Sequence, residues 1–371
     1  MKVLMTSWSF YPAQEGGPSN ALYWLASGLA KEGYKLKVVT TDRHLPKDSV
    51  PVNQWYSING FDVIYQSLDQ GKSLLKEEVK ECDLFLTDGV CKIVYFKAAL
   101  AALRYNKKVL LSPRGELFES AINHKGWFYG RLKKIYIFFM RLSFRGRVWF
   151  HATSEEEKEA VYRYFGRKAK VQVIPNYMIL PDIVEDQNKA KEYLLYVGRL
   201  NPIKNIDVLI KGLSKSDGFM KSGLVLKIAG GKEGSYYEYL KEMVSQLGLE
   251  EKVEFVGHIT GKTKDLLYAN AKCLFLVSKS ENFGNVVIEA LRQGTPVIAS
   301  KGTPWESLSS NGAGYWIDAS ADDISEVVDK LMDMGMPEYR RMRSNASALA
   351  KTFDIFSNMS TWNEYLTAIM N

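Results

Sequence analysis

Cysteine is scarce in this chain: Cys82, Cys91 and Cys273 are all there are in 371 residues, and their spacing fits neither a disulfide framework nor a metal knuckle. A reducing compartment, with the thiols as small core residues, is expected. No apolar run approaches the ~18 residues of a membrane span, and the run within Met1–Pro12 is too short for a secretory signal and reads as a first strand. There is no Asp-x-Asp, no Cys/His cluster at ligand spacing, no P-loop and no Ser-His-Asp order to assign. The expected chemistry is therefore metal-free and cofactor-free. G-x-G-x-x-G is missing too, which argues against a dinucleotide fold. One local absence stands out: no acid lies between Glu119 and Glu155.

At 371 residues the chain exceeds the size at which one core usually stops growing, so two domains are expected. With 46% hydrophobic and 25% charged residues it is ordinary globular material. The net charge of +7 is unevenly placed. Residues 1–180 hold 27 Lys and Arg against 17 Asp and Glu; the remainder holds 22 against 25. The basic excess belongs to the first domain.

That domain opens with a buried strand, a loop ending in Gly16-Gly17-Pro18-Ser19, an amphipathic helix over 20–29 and a second strand. This is half of a doubly wound sheet. Glycines before a helix let backbone amides approach a phosphate, although a plain turn explains Gly16 and Gly17 equally well. Further strands follow at 84–87, 109–112, 148–152 and 171–174. Ser154 and Glu157 fit a capping box. Residues 177–192 lose periodicity and read as a linker, after which strands and helices alternate again to residue 354.

In the second half, Lys279–Gly284 reads as a loop between the strand Cys273–Ser278 and a helix capped by Asn285. Gly294 and Pro296 end that helix, and another strand follows. Phe283 and Gly284 thus stand before a helix N-terminus at a strand's carboxyl end, where open α/β sheets bind ligands and where the helix dipole favours phosphate. Glu281 and Glu289 frame the turn and should address different parts of one ligand. Arg199 and Lys204 flank a turn after the first strand of this domain, and a departing diphosphate needs such fixed cations.

With Phe283-Gly284 inside it, the Glu281-x7-Glu289 pattern resembles the motif of family 4 (group 1) retaining glycosyltransferases. Gly198-Arg199-Leu200 with Lys204, Ile174-Pro175-Asn176 and the Gly16-Gly17 loop resemble that family in order and spacing. The resemblance implies the α/β GT-B fold, two Rossmann-like domains facing each other across a cleft. It implies an acceptor domain at 1–176 with the helix 355–371 packed back on it, a linker at 177–192 and a nucleotide-sugar domain at 193–354. Arg199 and Lys204 would stabilise the leaving diphosphate. Glu281 would contact the donor sugar, backbone amides of Phe283, Gly284, Asn285 and Val286 would hold sugar and phosphate, and Glu289 would bind ribose. The turn at His258 and Ile259 would read the base through its backbone, and Gly16 and Gly17 would line the diphosphate.

The sequence departs from the family where many members carry His-Gly, with the His near the reacting sugar. Here Arg114-Gly115 stands instead, so Arg114 is a candidate for the acceptor or the diphosphate, and Glu116 for orienting or deprotonating an acceptor hydroxyl; a helix-start acid after a turn explains Glu116 as well. Tyr177 replaces a usual glycine. His151 and His124 stand alone and read as structural. The implied partners are a UDP- or GDP-linked sugar and a glycan or lipid-linked acceptor, in bacterial surface polysaccharide synthesis, at the inner face of the cytoplasmic membrane. An epimerase of the same fold, a non-catalytic scaffold and a basic nucleic-acid-binding protein are alternatives, and the donor motifs speak against the last two. The stretch 126–150 mixes six Lys and Arg with aromatics and no acid, which suits an anionic bilayer surface. The competing expectation is a core helix with Ile135, Phe138, Phe139 and Leu142 turned inward.

Overall fold

The computed structural model of the protein describes residues 1–13, 17–47, 49–67, 71–124, 126–184 and 193–371. The chain divides into a unit of Met1–Ile179 with Asp354–Asn371, and a unit of Leu180–Phe353. Each is a sheet of apolar strands covered by helices, the arrangement that buries both faces of a parallel sheet.

The first unit holds β1 (Lys2–Ser7), β2 (Lys35–Thr41), β3 (Tyr56–Ile58), β4 (Phe61–Gln66), β5 (Leu84–Asp88), β6 (Lys108–Ser112), β7 (Trp149–Ala152) and β8 (Lys170–Val173), in the order β3-β4-β2-β1-β5-β6-β7-β8. The β3–β4 pair is antiparallel and turns on Asn59-Gly60, both at positive φ; the other pairs are parallel. Side chains alternate between faces as the pleat requires. Val3 and Met5 join a core with Leu22, Leu25, Trp362, Leu366 and Ile369, while Leu4 faces Phe85, Ile137, Met140 and Val161 on the other side. The final helix, Met359–Met370, therefore belongs to the first unit's core. Each of its fully buried side chains contributes about 1.5–3 kcal/mol, and Tyr365 donates to the Phe150 carbonyl at 2.7 Å.

The helix Trp127–Phe144 corrects the core-stripe expectation. Its buried positions are Gly130, Ile137, Met140 and Phe144; Ile135, Phe138, Phe139 and Leu142 are exposed. The helix is apolar on two faces, and the sheet claims the one that carries 137, 140 and 144.

The second unit holds β9 (Tyr193–Val197), β10 (Val225–Ala229), β11 (Val253–Phe255), β12 (Ala271–Leu276), β13 (Val297–Ser300) and β14 (Gly314–Ile317), all parallel, in the order β11-β10-β9-β12-β13-β14. Counted within the unit this is 3-2-1-4-5-6, the doubly wound order. The switch point lies between β9 and β12, so the loops after these two strands open side by side. In the first unit the switch lies between β1 and β5. Of the expected linker, residues 180–184 are fastened to the second unit: Arg292 donates to the Pro181 carbonyl at 2.9 Å and Gln293 to the Asp182 carbonyl at 2.8 Å. Residues 185–192 lie outside the described residues.

Candidate functional site

At the second unit's switch point the loop after β9 meets the loop after β12. The Lys279 amide donates to the Ile203 carbonyl at 2.8 Å, and the Lys204 ammonium donates to the Glu281 carboxylate in a short ion pair. Both side chains keep about a sixth of their surface open, 16% for Lys204 and 17% for Glu281. Arg199 is exposed on the same loop, whose carbonyl at 199 accepts from the Tyr196 hydroxyl at 3.1 Å. The Lys204–Glu281 pair thus sits where the topology opens the sheet, with Arg199 on the same loop as Lys204.

The turn before the helix Asn285–Arg292 is clamped from below. Phe283 is buried, its ring packs on Trp305, and its carbonyl accepts the Trp305 indole N–H; Phe353 closes the aromatic cluster. Gly284 has φ +85°, and a Cβ there would meet Leu276 Cδ2 at 2.6 Å, so only glycine fits. Gly284 is also the cap residue, where Asn285 was expected; Asn285 and Val286 form the first helical positions. A glycine cap contributes no side-chain acceptor to the first amides, which leaves room there for an external anion.

Glu289, one turn on, is buried and doubly held. Lys264 donates to Oε1 at 2.9 Å and the Tyr268 hydroxyl to Oε2 at 2.8 Å. Lys264 and Tyr268 lie four apart on the helix Gly261–Ala269 and so share a face. Burial and the Glu289 charge push the Tyr268 phenol far above its ordinary range, so it stays a donor. Lys264, Tyr268 and Trp305 escaped sequence reasoning; their signal is spatial, not local. The expected base-reading turn has Gly257 buried at positive φ, His258 exposed and Ile259 half-buried.

In the first unit the register sets Ser7 beside Asp88 and Asp88 beside Ser112 at the strand ends. Arg114 follows in the left-handed region at φ 53°. Its guanidinium is not open as an acceptor contact would need: it is 6% exposed, donates to Asp88 at 2.5 Å and also to Asn176. Burial pushes the Asp88 carboxyl up, and Arg114 pulls it back. Glu116, half-buried, accepts at Oε2 from the amides of Val90 at 2.6 Å and Cys91 at 2.8 Å. Glu157 does more than cap its helix. Fully buried, it accepts from the Gly115 amide at 2.5 Å and from Thr153, tying the Arg114–Gly115 turn to the next helix.

His151 accepts at Nδ1 from the Ser112 hydroxyl at 2.8 Å and donates from Nε2 to the Ile174 carbonyl, which can only accept. Burial, with Arg114 near, holds its pKa down to about 3, so it is a neutral structural imidazole. Trp8 stands at this switch point with Lys92 over its ring at 4.1 Å and Arg43 at 5.2 Å. Gly17 opens the helix Gly17–Lys31; Gly16 lies outside the described residues. Among the described residues no group of three or more His, Cys, Asp or Glu could hold a metal ion.

Residues 182–349 match the glycosyl transferases group 1 family, and residues 15–178 match Glycosyltransferase Family 4. An uncharacterized glycosyltransferase of Methanocaldococcus jannaschii is 27% identical over 388 residues, covering 91% of each chain. The O-antigen chain mannosyltransferase of Salmonella typhimurium is 30% identical over 187 residues, 50% of this chain and 51% of its own. Among solved structures, Anabaena HepE in complex with UDP and glucose superimposes with a TM-score of 0.73 at 19% identity, covering 99% of this chain and 100% of that one. A lipopolysaccharide glycosyltransferase, WaaG, gives 0.69 at 17%, covering 98% and 99%. The chain belongs to the group 1 glycosyltransferases and has their GT-B fold. It is an enzyme that transfers sugars.

Proposed function

We propose that the protein is a retaining glycosyltransferase that moves a sugar from a UDP- or GDP-linked donor to a hydroxyl of a glycan or lipid-linked saccharide, in bacterial surface polysaccharide synthesis. The observation that carries the donor reading is the Lys204–Glu281 pair at the second unit's switch point, beside the glycine-capped helix that carries Glu289 one turn in. Support comes from the fold relative that holds UDP and glucose, and from the mannosyltransferase among the relatives.

In this reading Glu281 accepts hydrogen bonds from the donor sugar's hydroxyls. Amides at 283–286 bind the distal phosphate at the positive end of the helix dipole. Glu289, oriented by Lys264 and Tyr268, accepts from the ribose hydroxyls through its remaining lone pairs, and backbone groups at His258 and Ile259 meet the base. The bond from the anomeric carbon to the diphosphate oxygen breaks, and the acceptor oxygen bonds to the same face. The acceptor proton passes to the departing diphosphate. Arg199 and Lys204 supply the positive charge this leaving group requires, so the reaction proceeds without a divalent metal.

The test is release of nucleoside diphosphate by purified protein from a panel of UDP- and GDP-sugars, with EDTA present. One donor class should turn over at an undiminished rate in EDTA, and NMR of a transferred product should show the donor's anomeric configuration. Inverted product would overturn the retaining assignment. No release from either class with any hydroxyl acceptor would overturn the donor reading.

A further inference from the structure

The helix Trp127–Phe144 turns a second apolar face to solvent. Phe128, Leu132, Ile135, Phe138, Phe139 and Leu142 recur at steps of three and four and are 49–70% exposed. Soluble proteins seldom leave such a stripe uncovered. The cations sit among these side chains and not opposite them. Arg131, Lys134 and Arg141 are exposed on the same side, and Arg131 lies over the Trp127 ring at 3.8 Å. The helix has no acid at all, and nearby Glu119 is engaged by Lys134 and by the Tyr164 hydroxyl.

At the helix's carboxyl end the stripe runs into a pocket of about 400 Å³, with Phe139 and Leu142 as apolar wall and Arg104, Arg145 and Arg147 as basic rim. We infer that this face is a docking surface for a bilayer rich in anionic phospholipid: the helix lies in the headgroup plane, with a headgroup phosphate in the arginine pocket. Aromatic and aliphatic side chains reach below the headgroups, while long Lys and Arg side chains remain at the phosphate level.

A second copy of this chain fits the face less well. A two-fold pairing would set Arg131, Lys134 and Arg141 against their own counterparts, with no acid of the helix to answer them. No helix among the described residues is long and apolar enough to cross a membrane, so the contact is peripheral. This surface would place the enzyme on the inner face of the cytoplasmic membrane, where a lipid-linked acceptor is presented. The docking itself needs no sugar donor, so its test stands apart from the transferase reading.

The experiment is co-sedimentation of the full chain with vesicles of phosphatidylcholine alone or mixed with phosphatidylglycerol, together with sedimentation equilibrium of the free protein. Binding should appear with phosphatidylglycerol, weaken as salt is raised, and persist in excess inorganic phosphate. Lys134→Ser with Arg141→Ser should lower the partition coefficient about fivefold for each charge removed. Phe138→Ser with Phe139→Ser should lower it about tenfold or more at unchanged charge. Arg145→Ser with Arg147→Ser should weaken it comparably to the first pair. All six side chains are exposed, and unchanged melting temperatures will show that the fold is kept. Equal recovery in the supernatant with both vesicle types at low salt would overturn the inference. So would vesicle binding indifferent to all three double variants. A dimer that dissociates in the Phe138/Phe139 variant, without vesicle binding, would make the face a self-interface instead.

Discussion

The two sheets open at equivalent switch points, yet they use charge in opposite ways. In the second unit Lys204 and Glu281 are paired but keep 16% and 17% of their side chains open, with Arg199 exposed on the same loop as Lys204. In the first, Arg114 and Asp88 are 6% and 4% exposed, and Asn176 accepts from the guanidinium's Nη1. The first arrangement can exchange its internal partner for a ligand; the second cannot without stranding a buried carboxylate. The difference teaches that a charged residue at a strand's carboxyl end marks a ligand site only when solvent still reaches it. Arg114, which stands where many family members carry histidine, acts as a strut between strand ends.

Breaking the strut should have the largest effect. Arg114→Ala leaves Asp88 buried without its cation, and urea unfolding should show a loss of about 3–5 kcal/mol; Arg199→Ala, on an exposed loop, should stay within about 0.5 kcal/mol of wild type. Similar losses for both would erase the contrast. Next, Lys204→Ala and Glu289→Ala should each cut turnover by roughly 100-fold or more; Glu289→Ala should also lower the melting temperature, because it strands Lys264 and the buried Tyr268 hydroxyl. Near-wild-type rates would remove the donor site from this switch point.

A third test uses acid. The His151 pKa lies at about 3 in the folded chain against an ordinary 6.5. Between these values the unfolded chain takes up a proton that the folded chain refuses, so this group lowers stability as pH falls below about 6.5. The slope approaches about 1.4 kcal/mol per pH unit. Asp88 and Glu157, whose carboxyls burial pushes up, work in the opposite sense. The measurement is therefore the difference between His151→Gln and wild type, which should narrow on acidification from pH 7 to 5. A constant difference would mean that the folded chain takes up the His151 proton as readily as the unfolded chain does. The smallest effect is expected at Tyr268→Phe. Losing one hydrogen bond to Glu289, worth about 0.5–1.5 kcal/mol, should raise donor KM severalfold with kcat nearly kept; a matching fall in kcat alone would mean that Tyr268 acts at the reaction step.

Legibility in the sequence followed the same division. The donor motifs could be read because a strand, its loop and the next helix bring Gly198–Asn205 and Glu281–Glu289 to the switch point as short contiguous segments. The struts could not. Arg114 reaches Asp88 26 residues back and Asn176 62 residues on, and Glu157 reaches the Gly115 amide across 42. Spacing carries no trace of such pairings. The Tyr56–Gln66 hairpin is a different case: Asn59-Gly60 is a strong local turn signal, but the strands on either side are short and one is at the sheet's edge. The direction of the Trp127–Phe144 helix was ambiguous for a plain reason. Both of its faces are apolar, and only the packing against Phe96 and the sheet decides which is inside.

The central claim is that the second unit's switch point grips the donor through its diphosphate. Calorimetric titration of wild type and Lys204→Ala tests this directly, with the nucleoside diphosphate of the active donor class and with the same nucleoside lacking phosphates. The account predicts that the variant loses about tenfold or more in affinity for the diphosphate and binds the nucleoside unchanged. Equal affinity of both proteins for the diphosphate would contradict it.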